Sequence, residues 1–99
     1  MSNQLMNLTE ANLLQKIKLS INQLEELHPL VFRGAFGLTH EQAAYELCVE
    51  PQTMRAYTKK QPSKRVKKLA ATTARQWVIN GHNIVEPELL WKAIFENAH

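Results

Sequence analysis

Prolines stand at 29, 51, 62 and 87, and no segment between them alternates apolar and polar residues for long enough to make a strand. Inside a helix proline removes a hydrogen bond and clashes with the preceding turn, yet it is at home in a first turn. A chain with helical periodicity between such stops folds into several short helices joined by turns. The expectation is all-α: one small helical bundle of about six helices, with no internal repeat and no linker long enough to separate domains.

The punctuation gives each segment its bounds. Thr9 reads as an N-cap, with Leu8 and Leu13 as a hydrophobic staple, for a helix over 9–28 whose stripe is Leu13, Leu14, Ile17, Ile21, Leu24 and Leu27. Pro29 closes it or opens the next, 30–36, where Leu30, Val31, Ala35 and Phe36 are candidates for burial and Gly34 is a weak point. Gly37 stands where a left-handed C-terminal residue is wanted. Thr39 with Gln42 forms a capping box for a helix carrying Ala43, Ala44 and Leu47. A break at 48–50 precedes Pro51, which starts a helix to about Lys59. Gln61-Pro62-Ser63 is a turn, and Ser63 caps a helix to Asn80 with Val66, Leu69, Ala70, Thr73, Trp77 and Val78 inside. Gly81 ends it, and Pro87 opens a last helix to about residue 97 with Leu89, Leu90, Ala93, Ile94 and Trp91 as its apolar positions. Residues 1–28 thus form an additional N-terminal helix, 30–80 the core, and 82–99 a C-terminal helix that is a candidate dimerisation element.

Charge is distributed unevenly over the 99 residues. The first fifty carry three basic residues against six glutamates; the rest carry nine against three. Between Glu50 and Glu86 there is no acid, while Arg55, Lys59, Lys60, Lys64, Arg65, Lys67, Lys68 and Arg75 lie there. Such a run is either a solvated helix face or the footprint of a polyanion partner. The first residues lack the basic-then-apolar pattern of a signal peptide, and apolar runs fall short of the ~20 residues of a membrane span. A soluble protein of the reducing cytoplasm is expected, which suits a single thiol, Cys48.

The stretch VFRGAFGLTHEQAAYELCVEPQTMRAY, within residues 31–66, resembles the helix-turn-helix of the phage-repressor/Cro-type (XRE-like) DNA-binding family. Two helices meeting at a steep angle need a small residue at the contact, filled here by Ala44, with Leu47 and Val49 in the inner corner. Met54 and Tyr57, three apart, point to the same core and leave Gln52, Thr53, Arg55, Ala56 and Lys59 outside. The resemblance implies that helix 51–59 enters the major groove of double-stranded DNA. Gln52, Thr53 and Arg55 are then the base-contact candidates; Arg suits guanine and Gln adenine. Gln42, Lys59, Lys60, Lys64, Arg65, Lys67 and Lys68 are the phosphate-contact candidates. The resemblance further implies a transcriptional regulator binding as a homodimer. Three residues depart from the family pattern: Cys48 where glycine is usual, Glu50 as the N-cap before Pro51, and Ala56 where a polar side chain is common.

Other chemistry finds little footing. His28, His40, His82 and His99 stand at no zinc spacing with one another or with Cys48, there is no aspartate, and Glu25-Glu26 points to different sides of a helix. The glycines form no phosphate loop. Cys48 is expected as a small buried corner residue and not as a nucleophile, and Trp77 as a core residue. No metal, no cofactor and no enzymatic activity are expected. The last helix carries more apolar surface than one side needs, the mark of an interface. The alternative to a DNA reader is a helical protein-interaction adaptor, or an RNA-binding module, with a degenerate helix-turn-helix.

Overall fold

In the computed structural model, residues 2–97 are described, with side chains over 9–96. Six α-helices follow one another: α1 Ser2–Ser20, α2 Pro29–Phe36, α3 His40–Glu46, α4 Pro51–Ala56, α5 Lys64–Ile79 and α6 Pro87–Asn97, with a 3-10 turn at Ile21–Gln23. No strand occurs among the described residues, and none of their helices is long and apolar enough to cross a membrane. The all-α bundle of six helices expected from the proline spacing is the observed fold.

Three helices end in the same way. Gly37, Cys48 and Gly81 all have positive φ, at 66°, 56° and 82°. After α2 the N–H of Leu38 donates to the Arg33 carbonyl at 2.9 Å and that of Gly37 to Gly34 at 3.3 Å. After α3 Val49 donates to Ala44 at 3.0 Å and Cys48 to Tyr45 at 3.3 Å; after α5 His82 donates to Trp77 at 2.9 Å and Gly81 to Val78 at 3.2 Å. Each is a Schellman closure, which satisfies the last carbonyls and reverses the chain within two residues. Starts are equally local. Thr39 and Gln42 form a reciprocal capping box, Ser63 accepts from the N–H of Val66, and the His28 Nδ1 accepts from the N–H of Leu30 at 3.1 Å.

The core joins Ile17, Ile21, Leu24 and Leu27 to Phe32, Ala35 and Phe36, to Ala43, Ala44, Leu47, Met54 and Tyr57, and to Ala70, Ala71, Ala74, Val78, Leu90 and Ile94. Phe32 and Phe36 each lie 5.1 Å from Trp77, ring to ring, and His82 stacks on the outer face of Trp77 at 4.6 Å. α6 lies against both α1 and α2. Gly34 makes the second approach close: a Cβ there would come within 2.9 Å of Leu89.

The N-terminal third differs from the sequence expectation. α1 begins at Ser2, so Thr9 lies inside the helix and is not its N-cap; the Leu8 side chain of the supposed staple, like His99, falls outside what is described. The helix stops at Ser20, and after the 3-10 turn residues 24–28 run extended to Pro29. Tertiary bonds replace the missing helical ones: Leu27 N–H donates to the Lys67 carbonyl at 3.0 Å, and the Arg75 guanidinium donates to the Leu24 carbonyl. Leu24 and Leu27 are still fully buried.

The inner face of α5 is also rotated from the expected one. Ala70, Ala71, Ala74 and Val78 are buried, whereas Leu69 is exposed and Thr73 half-buried. Small side chains let α5 come close to α2 and to the extended segment, and that closeness decides the face over the larger apolar residues. Phe32, not among the expected core positions of its helix, is fully buried.

Candidate nucleic-acid interface

α3 and α4 meet at the turn built on Cys48. Ala43 and Ala44 of α3 and Met54 of α4 are fully buried, Leu47 closes the corner, and Tyr57, just past α4, is nearly buried. Pro51 occupies the first turn of α4, where its missing N–H costs no bond. Glu50, the N-cap, makes no side-chain bond to the helix. Cys48 is exposed, which corrects its expected burial. A left-handed residue after a helix swings its side chain outward, and the corner is filled by Leu47 and Val49 instead. The non-glycine residue does accept the unusual dihedral that its position requires.

The three base-contact candidates divide. Gln52 and Arg55 are exposed and Thr53 is half-buried, while Ala56 and Lys59 also face solvent. Arg55 is not unengaged: its Nη2 pairs with the Glu41 carboxylate from the first turn of α3. α4 itself ends at Ala56, and residues 57–63 are not helical, so Lys59 and Lys60 stand beyond the helix.

Of the basic phosphate-contact candidates, Arg65 lies beside this corner. A cleft of about 250 Å3 is walled by Leu47, Cys48 and Val49 on one side and by Ser63, Arg65, Val66 and Leu69 on the other. The cleft places the start of α5 next to the α3–α4 turn. Lys59, Lys60, Lys64, Arg65 and Lys68 are exposed. Lys67 is turned away, its Nζ 3.3 Å from Glu26 of the extended segment. Gln42 is exposed, but its Oε1 accepts from the N–H of Thr39 at 2.9 Å, which leaves the amide nitrogen for an outside acceptor.

The electrostatics are less one-sided than the basic run alone suggests. From His40 to Lys60 three glutamates balance three basic residues, and the excess sits at 64–68. A larger hollow of about 550 Å3 lies between α1 and the start of α6, walled in part by Glu10, Glu86 and Glu88. Its acids suit no polyanion. Among the described residues no three His, Cys or Glu side chains are grouped to hold a metal ion.

His28 packs beside the end of α4. It caps α2, meets Tyr57 edge to face at 6.4 Å and lies near Lys67. Burial, and then the Lys67 charge, lower its pKa below the usual histidine value. No family model, no curated protein and no solved structure matches the chain.

Proposed function

We propose that the chain is a cytoplasmic DNA-binding protein, a transcriptional regulator of the phage-repressor/Cro (XRE-like) kind, which inserts α4 into the major groove. The observation that carries this reading is the division of α4: Met54 is buried together with the following Tyr57, while Gln52, Arg55 and Ala56 face solvent, and the start of α5 with Arg65 lies against the α3–α4 turn. In this reading Gln52 and Arg55 meet base edges, and Thr53, half-buried, has the smaller part. Lys59, Lys60, Lys64, Arg65 and Lys68 bond phosphates, with Gln42 donating its amide to the backbone. Lys67, paired with Glu26, contributes less.

A homodimer fits a two-fold operator with half-sites about one helical turn apart. α1 and α6 cover each other within one chain, so the second copy would dock on what they leave, where Leu19 and Phe95 are 74% and 57% exposed.

Mobility shift on random duplex tests the reading. Binding through ~6 phosphates weakens about a thousandfold between 50 and 200 mM salt. Absence of binding at low salt, or binding indifferent to salt, rejects it. The second reading, a protein-interaction or RNA-binding module, is favoured by one observation: Glu41 and Glu50 are exposed on the same corner as Arg55, where a duplex would meet them.

A further inference from the structure

We propose that Glu41 is a positioning residue for Arg55, holding the guanidinium at the angle from which it selects a base; this rests on the reading of α4 as the element that meets DNA. Arg55 lies in the last turn of a six-residue helix, and its side chain is 51% exposed. A long side chain so placed has many rotamers, and only some present the planar fork that matches a base edge. Glu41 restricts them. Its carboxylate takes one of the two hydrogens on Nη2, which uses one forked edge of the guanidinium and leaves the other for an outside partner.

The carboxylate is itself on a fixed base. Glu41 lies between the two members of the capping box, Thr39 and Gln42, whose reciprocal bonds measure 2.9 and 3.0 Å. The first turn of α3 is therefore pinned, and the bond from Glu41 crosses from it to α4. Of the three glutamates of this corner, Glu41 alone is in an ion pair among the described residues. With the carboxyl side chain 57% exposed, the pair adds little to stability. A negative charge so close to phosphates also opposes binding. Affinity alone would be better served without it; orientation of Arg55 is what it supplies.

Affinity and selectivity therefore move in opposite directions when Glu41 is removed. The experiment selects bound sites from a random duplex pool with the full chain and with Glu41→Ala, Arg55→Ala and the double variant, and measures the affinity of each for random duplex. Arg55→Ala flattens the preference at one base position. Glu41→Ala tightens random-duplex binding and lowers the preference at that same position by about two- to fivefold, the coupling of an exposed pair. The double variant matches Arg55→Ala in preference, a dependence on Arg55 that a merely structural role of Glu41 would not produce. Unchanged preference in Glu41→Ala, or a further change when it is added to Arg55→Ala, overturns the positioning role and leaves DNA binding standing. Failure of the parent chain to bind duplex at low salt overturns both.

Discussion

The N–H of Val49 reaches back to the Ala44 carbonyl at 3.0 Å, across Cys48 at φ 56°. One bond thus ties the small residue of the α3–α4 contact to the residue that fills the corner. It sets the angle at which α4 leaves α3.

That turn holds a side chain in a conformation that favours glycine. A non-glycine residue in the left-handed region costs on the order of 1–3 kcal/mol, part of which glycine gives back as greater freedom of the unfolded chain. Cys48 is exposed and contributes no core contact. Cys48→Gly is expected to raise stability by about 0.5–1 kcal/mol, read as a higher denaturant midpoint at unchanged slope. Cys48→Val, with a branched Cβ in the same place, should lower it.

Gly37 is the opposite case. A Cβ there would combine the unfavourable φ of 66° with a contact of 2.7 Å to Val85 Cγ2. The backbone of Val85 is held against α2 by its N–H, which donates to the Ala35 carbonyl at 2.8 Å, so it cannot retreat freely. Gly37→Ala should cost about 1–3 kcal/mol. Adding Val85→Ala removes the Cγ atoms from the clash and should recover part of the loss, leaving the strain of the dihedral. No recovery in the double variant would show that the crowding is not with Val85.

What was legible in the sequence is what local chemistry decides. Thr39 and Gln42 read as a capping box because both bonds span three residues; Gly37 and Gly81 read as helix ends because their φ is a local matter. The alternation of buried Met54 and Tyr57 with exposed Gln52 and Arg55 followed from helical spacing in the register of the helix-turn-helix resemblance, which also set Thr53 outside, where it is half-buried. Residues 24–28 did not read as extended, because the bonds that hold them come from Lys67 and Arg75, about forty to fifty positions away in the chain. The face of α5 was misjudged for a related reason: Ala70, Ala71 and Ala74 are weak hydrophobes until a close neighbour rewards their size. The Glu41–Arg55 pair, fourteen residues apart, needed the corner to be built before it could be seen.

His28 makes stability depend on pH. Its Nδ1 must be unprotonated to accept from the N–H of Leu30, and burial with Lys67 nearby holds its folded-state pKa below that of the free side chain. The unfolded chain therefore takes up the proton first as pH falls. The contribution is complete above the free-histidine value near 6.5 and is lost as pH drops from there through the lowered folded value. Charged and titratable neighbours are Lys67 on α5, Tyr57 after α4, and Glu26, whose pairing with Lys67 tempers the repulsion. His28→Asn keeps a capping acceptor without a titrating ring. Its unfolding midpoint, followed by circular dichroism across this range, should fall less on acidification than that of the parent chain. Parallel curves would assign the acid sensitivity to other groups.

Lys67 and Lys68, adjacent in sequence, should differ as phosphate ligands. Lys67 is already within 3.3 Å of Glu26, so contact with DNA would require it to break a pair and would release little counterion. Lys68 is exposed and makes no ion pair among the described residues, on the same stretch of α5 as Lys64 and Arg65. If the start of α5 lies along the backbone of a duplex, Lys68→Ala weakens binding equally across sequences and lowers the slope of log affinity against log salt by ~1. Lys67→Ala lowers it by clearly less and instead loses the small stabilisation of a surface pair, at most about 1 kcal/mol. Titration of both variants on random duplex at several salt concentrations separates them. Equal slopes for the two would mean that Lys67 leaves Glu26 on binding, and a slope unaffected by Lys68→Ala would take α5 off the DNA.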